Sequence, residues 1–229
     1  MIAENKTTVK RSMNHYVQES PSVKQRCYAF VKRAFDIVAS ATALIVLSPI
    51  MLIAAILVYV DDPGKVFYGH VRIGKSGKPF KMWKFRSMYM NADKMINLLT
   101  PEQAKQYYTE FKIDNDPRIT KIGNFLRKTS LDELPQLFNV LCNDMSLVGP
   151  RPLIESEIQT YYEDTYDVLL AVKPGVTGYW QAYARNNATY QSGERQKMEM
   201  YYVQNASLWL DIKILFKTVV SVLRKDGAK

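Results

Sequence analysis

Hydrophobic and polar positions segregate sharply along this chain. Residues 37–60, IVASATALIVLSPIMLIAAILVYV, form a run of 24 without a formal charge, where about 20 apolar residues suffice to cross a hydrocarbon core. The pattern predicts membrane insertion in preference to a buried core helix. Lys24, Arg26, Lys32 and Arg33 precede the run, and Lys65, Arg72, Lys75, Lys78, Lys81, Lys84 and Arg86 follow it. A crossing helix carries its basic residues mainly on the cytoplasmic side, whereas here both flanks are basic. Ser48-Pro49 sits at the middle, where proline removes a backbone donor and the serine hydroxyl can satisfy a freed carbonyl. A helix broken at Ser48 and Pro49 that dips into one leaflet and returns is therefore expected, with a kinked spanning helix as the competing form. Upstream, VKQRCYAFVKRAFD alternates basic and apolar residues as a segment lying in the headgroup layer does.

The flanking patterns divide the rest. Residues 1–22 are polar and aperiodic and read as a flexible tail. Residues 23–62 form the interfacial and membrane segment, 63–224 a catalytic-sized globular domain, and 225–229 a short tail. In the globular part, VFYGHVRI and FKMWKFRSM joined by GKSGKP predict a β-hairpin. Residues 91–111 predict a helix, with Thr100-Pro101-Glu102 as its start. LWLDIKILFKTVVSVLRK has near-helical amphipathic spacing, suited to packing on the core or to lying on a membrane. The fold class is α+β and mainly helical: a re-entrant helix-break-helix, a small hairpin, and amphipathic helices at the membrane surface.

Charge narrows the partners without choosing one. With 31 basic and 22 acidic residues the net charge is +9, which favours nucleic acid, a phosphorylated substrate or anionic lipid. Cys27 and Cys142 lie in unlike contexts and form neither a disulfide framework nor a ligand cluster, which points to a reducing compartment.

The densest block is NDPRITKIGNFLRKTSLDELPQLFNVLCNDMSLVGPRPL. Within it, Ser130-x-x-Glu133 has the spacing of a capping box, which would make Asp132 and Glu133 parts of a helix start. Pro135 fits that poorly, because it would fall in the first turns and leave the Leu131 carbonyl without its partner.

These stretches, together with the Ser48-Pro49 segment, VFYGHVRIGKSGKPFKMWKFRSM, KPGVTGYWQ and YYVQNASLWLDIKIL, resemble the bacterial sugar transferases of the small monotopic phosphoglycosyl transferase family. The resemblance runs from about residue 35 to 217. It implies a transferase of phosphorus-containing groups that moves a sugar-1-phosphate from a UDP-sugar to polyprenol (undecaprenyl) phosphate and releases UMP. It further implies a covalent phosphosugar on Asp132, magnesium held by Glu133 and Asp132, and a catalytic domain on the cytoplasmic face of the bacterial inner membrane. The reaction would be the first membrane step of surface polysaccharide, capsule or glycoconjugate synthesis.

The residues suit such chemistry independently. A carboxylate is ionised at neutral pH and needs no base to attack, and its repulsion from a diphosphate has to be offset by cations. Arg127, Lys84 and Arg86 are the candidates for phosphate binding, arginine offering bidentate contacts and lysine a point charge. Pro150 and Pro152 hold the backbone on either side of Arg151, and the resemblance assigns that turn to the nucleotide. Two departures stand in its loops. Ala184 precedes Arg185 and Asn186 where most relatives have glycine, and Glu199 stands where aspartate is common, so Arg185, Asn186 and Glu199 are loop candidates that bear on sugar choice or on nothing.

The resemblance implies a UDP-sugar, polyprenol phosphate and membrane lipid as partners and no nucleic acid, and leaves a homo-oligomer open. The competing reading is a non-catalytic, membrane-anchored basic scaffold or anionic-lipid-binding protein in which the carboxylates only cap a helix.

Overall fold

The computed structural model describes residues 22–110, 113, 115–184 and 188–224; the tails expected at 1–21 and 225–229, and the candidates Arg185 and Asn186, lie outside the described residues. It is mostly helical with two small sheets.

Helix α1, Val23–Asp61, spans 39 residues, about 58 Å at 1.5 Å per residue. Ser22 opens it with a reciprocal capping box, Gln25 N–H donating to Ser22 Oγ at 3.3 Å and Ser22 N–H to Gln25 Oε1 at 2.8 Å. Only 11% of its most apolar window is buried, which sets it apart from a core helix. The expected break at Ser48-Pro49 is absent as a break, since helix continues through Pro49. Proline withholds the N–H that would bond the Ile45 carbonyl four residues back, and the Ser48 hydroxyl donates to that carbonyl at 2.8 Å. One donor replaces another, so the Ile45 carbonyl keeps a hydrogen bond at the proline.

Both ends of α1 are tied to the globular body. Near its start, Arg33 donates to the Val140 and Leu141 carbonyls at 2.6 and 3.0 Å, Lys32 pairs with Asp211 at 2.8 Å, and buried Asp36 accepts from Leu147 N–H at 3.1 Å. At its end, Asp61 accepts from Ile122 N–H at 3.0 Å. Met51, Ala54 and Val58 pack with Phe85 and Leu126 in one core cluster that also touches Leu131 and Leu134.

Strands β1 (Phe67–Ile73) and β2 (Pro79–Phe85) form the expected antiparallel hairpin, with Tyr68 opposite Lys84 and His70 opposite Met82. Helix α2, Pro101–Glu110, starts at Thr100 as expected, Thr100 Oγ1 accepting from Gln103 N–H at 3.2 Å, but the helix expected from residue 91 does not reach back that far: Lys94–Leu98 form a separate 3-10 turn. Helix α3 (Lys121–Thr129) leads through a 3-10 turn, Leu131–Glu133, into α4 (Gln136–Leu141).

A second sheet, which no local pattern announced, pairs β3 (Ser146–Val148) with β4 (Gly175–Thr177) in parallel. Gly149, Gly175 and Gly178 permit it: a Cβ at any of the three would fall on backbone of the facing segment. Helices α5 (Glu155–Tyr161), α6 (Tyr166–Leu169), α7 (Tyr179–Tyr183), α8 (Glu194–Asn205) and α9 (Leu208–Arg224) complete the body.

Candidate active site

The turn carrying Asp132 is built from the end of α3 outward. Ser130 adopts a left-handed conformation, φ 57°, and its N–H closes α3 by bonding the Arg127 carbonyl at 3.2 Å. Its hydroxyl makes no capping bond. The capping box that the spacing suggests and Pro135 argues against does not form: Ser130 ends one helix instead of starting another, and α4 begins only after Pro135, whose fixed φ suits a helix start. Asp132 and Glu133 sit between two helices in a turn of their own. The scaffold reading, which needed them as caps, loses its structural basis.

Asp132 is buried, 7% exposed, and cations gather around the pair. Glu133 accepts from Lys84 Nζ at 2.7 Å. Arg127 is held by a bond from its Nε to Ser87 Oγ at 2.8 Å. Burial lowers its pKa, opposed by the negative charges of Asp132 and Asp116, while Arg118 lowers it further and Glu133 opposes. Behind it, Arg118 grips Asp116 by two edges, Nε to Oδ1 at 2.9 Å and Nη2 to Oδ2 at 2.7 Å. Burial opposes ionisation of Asp116, yet these bonds hold its carboxyl below the usual range.

Arg86, expected beside Lys84 as a phosphate ligand, is engaged elsewhere. Its guanidinium donates to Asp62 Oδ2 at 2.6 Å, to the Asp62 carbonyl, and to the Val58 carbonyl at 3.5 Å. It closes the carbonyl end of α1, the favourable place for a cation, and is a structural anchor.

The turn of residues 149–152 rests on β4: Gly149 N–H bonds the Thr177 carbonyl and the Pro150 carbonyl accepts from Gly175 N–H, at 2.9 and 2.8 Å. The Pro152 carbonyl accepts from Arg72 Nη1 at 3.3 Å. Between the prolines, Arg151 is fixed twice. Its backbone N–H donates to both oxygens of buried Glu199 at 3.3 and 3.2 Å, and its side chain lies 3.9 Å from Glu157 Oε1. Burial disfavours the Arg151 charge, but Glu157, Tyr190, Glu133 and Glu199 together raise its pKa. Glu133 thus feels both Lys84 and Arg151, which joins the carboxylate turn to the GPRP turn in one site.

Glu199 is a support for that turn, standing behind Arg151. Burial pushes its pKa up to about 7 against the pull of Arg195, the bond from the Arg151 N–H, and the Arg151 charge. Several members of this neighbourhood escaped notice in the sequence. Glu157 accepts from Arg72 at 3.1 Å across 85 positions and from Tyr190 at 2.9 Å across 33; no local motif signals such pairs.

The donor set bears on a metal. Among the described residues no group of three or more His, Cys, Asp or Glu stands ready to enclose one. Adjacent Asp132 and Glu133 fit Mg2+, which takes one or two carboxylates and completes its shell with phosphate oxygens and water.

The chain that builds this arrangement, a long apolar helix tied at both ends to a body with a buried carboxylate turn among cations, is matched over residues 27–225 by the family model for bacterial sugar transferases. The chain belongs to the bacterial sugar transferases. It is 49% identical over 210 residues to an undecaprenyl-phosphate galactose phosphotransferase of Salmonella typhimurium, covering 90% of this chain and 43% of that protein. It is 42% identical over 195 residues to a UDP-glucose:undecaprenyl-phosphate glucose-1-phosphate transferase of Escherichia coli, covering 82% of this chain and 39% of the relative. With the exopolysaccharide production protein ExoY of Rhizobium meliloti identity is 39% over 224 residues, covering 96% and 98% of the two chains. The chain thus spans less than half the length of the first two and nearly all of the third.

Proposed function

We propose that this protein transfers a sugar-1-phosphate from a UDP-sugar to undecaprenyl phosphate through a phosphosugar carried on Asp132. The observation that carries the reading is the setting of Asp132: a buried carboxylate in a rigid turn, with Arg127 and the Lys84–Glu133 pair beside it. The activities named for the relatives support the substrate classes. Those relatives are named for different sugars, galactose and glucose, so they support no single sugar.

An Asp132 oxygen attacks the phosphorus that bears the sugar. The bond from that phosphorus to the bridging oxygen breaks, and UMP departs with that oxygen and its electron pair. A phosphate oxygen of the lipid then attacks the same phosphorus and frees the Asp132 carboxylate, giving a polyprenol diphosphate sugar. Arg127 and Lys84 offset the charge that accumulates on the phosphoryl oxygens, an electrostatic effect worth most in a site shielded from water. Asp132 and Glu133 would hold Mg2+, which would supply further countercharge to the phosphates. Arg151, in the turn braced by β4 and Glu199, faces the nucleotide.

The reaction belongs at a membrane surface, since one substrate keeps its phosphate at headgroup level. The ties of α1 to the body at both Arg33 and Asp61 support a re-entrant arrangement, with the body on the cytoplasmic side of the bacterial inner membrane.

The test is incubation of the purified protein with UDP-sugar and magnesium, without acceptor, followed by denaturation and mass measurement. A phosphosugar adduct in the wild type and none in Asp132→Asn is expected. Turnover with full acceptor but no trapped adduct in any condition would overturn the covalent route.

A further inference from the structure

Behind the GPRP turn lies a cluster of charge of which the transfer described above uses only Arg151. Arg72, Arg151 and Arg195 converge there with Glu157 and Glu199. Arg195 is 5% exposed, and its guanidinium carbon lies 4.0 Å from the centre of the Trp180 ring and 3.9 Å from that of Tyr190. With aromatic rings on its faces, this guanidinium can hydrogen-bond only through its edge. On that edge Nε and Nη2 have no partner among the described residues, and neither has Arg72 Nε.

A buried charged donor left unsatisfied is destabilising, because it has given up its water without gaining a partner. Three such donors beside one turn form a place prepared for an anion, and three cations there face two carboxylates. Phosphate oxygens match it, since each accepts edge-on hydrogen bonds from guanidinium groups.

We infer that Arg195 and Arg72, with Arg151, form a phosphate-monoester site that takes the nucleotide leaving group, while Arg127 and Lys84 face the transferred phosphoryl group. The inference rests on the transfer reading above. Two phosphate monoesters take part in that reaction, UMP and the lipid phosphate, and the packing favours UMP. The core around Tyr190 is Leu153, Ile158, Tyr162 and Leu169, with no residue of α1, whereas the Asp132 turn shares its core with Met51, Ala54 and Val58 of α1. In the proposed membrane setting a lipid phosphate would approach beside α1, and the arginine cluster packs on a core that holds no residue of α1.

The experiment is equilibrium binding of UMP, uridine and a short-chain polyprenyl phosphate to the detergent-purified full chain, as wild type, Arg195→Lys and Arg195→Met. The expected result is a tenfold or greater loss of UMP affinity in both variants, with uridine within twofold and polyprenyl phosphate unchanged. Arg195→Lys keeps a charge between the rings and guards against a variant that merely fails to fold. Unchanged UMP binding overturns the site, as does an equal loss of UMP and uridine, the mark of a packing role. Loss of polyprenyl phosphate in place of UMP overturns the nucleotide assignment. None of these measurements needs turnover, so a failed adduct experiment strikes the transfer reading and a failed UMP–uridine contrast strikes this one.

Discussion

Lys84 Nζ lies 2.7 Å from Glu133 Oε1, fastening the end of β2 to the turn that carries Asp132. Both side chains remain partly exposed, 26% and 32%, and such pairs stabilise a fold by at most about 1 kcal/mol. In the proposed reaction Lys84 therefore serves as a phosphate ligand more than as a brace. Lys84→Met is expected to slow UMP release in the presence of both substrates by about 100-fold, the scale of a removed transition-state charge, with little change in the thermal midpoint. A midpoint drop that accounts for the whole loss would refute this division of labour.

Arg86 behaves oppositely. Its side chain is 7% exposed and bound to Asp62 and to carbonyls at the end of α1. Removing one partner of a buried pair leaves an uncompensated charge, at a cost of about 3–5 kcal/mol. Arg86→Met should therefore lower the denaturant midpoint strongly, and Asp62→Asn should do so in the same direction, whatever either does to catalysis. Wild-type stability in Arg86→Met would return this arginine to the phosphate site.

The two native cysteines report on topology. Cys27 is exposed near the start of α1 and Cys142 is exposed on the body. In sealed vesicles of one orientation, a membrane-impermeant maleimide should label single-cysteine variants of either kind from the same side. Labelling from opposite sides would mean that α1 crosses.

His70 gives a pH signature. Burial, followed by the cations Arg72 and Lys84, lowers its pKa to about 4; Glu157 opposes and Arg151 adds to the lowering. An unfolded histidine titrates near 6.5, so between about pH 4 and 6.5 the unfolded chain binds a proton that the folded one refuses. Stability contributed here is complete above that window and is lost as pH falls through it. Glu199, raised to about 7, pulls the other way, its contribution fading as pH rises toward 7. Comparing His70→Gln with wild type isolates the histidine: the variant should lose less stability between pH 7 and pH 5, measured by urea unfolding in detergent. Parallel losses would contradict the assignment.

The parts legible in the sequence are those whose signals are local. The apolar run, the glycine-rich connector between β1 and β2, and the Thr100 helix start each occupy a few consecutive residues, and each appears where expected. The Ser48 hydroxyl bond to the carbonyl freed by Pro49 was legible too, though the helix continues where a break was expected. The Ser130–Glu133 spacing misled because it fits a capping box equally well, and only the left-handed Ser130 closing α3 decides otherwise. Arg86 and Lys84 stand two residues apart with the same chemistry, and nothing short of the position of Asp62 separates their roles. The β3–β4 pairing and the cluster of Arg72, Glu157, Arg195 and Glu199 join segments tens of residues apart, beyond the reach of any spacing rule.

The division between Lys84 and Arg86 has a geometric consequence. Two residues of extended chain measure about 7 Å, and from backbone positions that far apart Lys84 reaches the turn holding Asp132 while Arg86 reaches the end of α1. With α1 in a membrane as proposed, the helix would set how deep the molecule sits, and the strand end between the two contacts would relate that depth to the carboxylate turn. In the proposed reaction the bilayer would then work as a gauge: a phosphate carried at the matching height on a lipid would be presented to Asp132 again and again, while one dissolved in water would arrive only by chance.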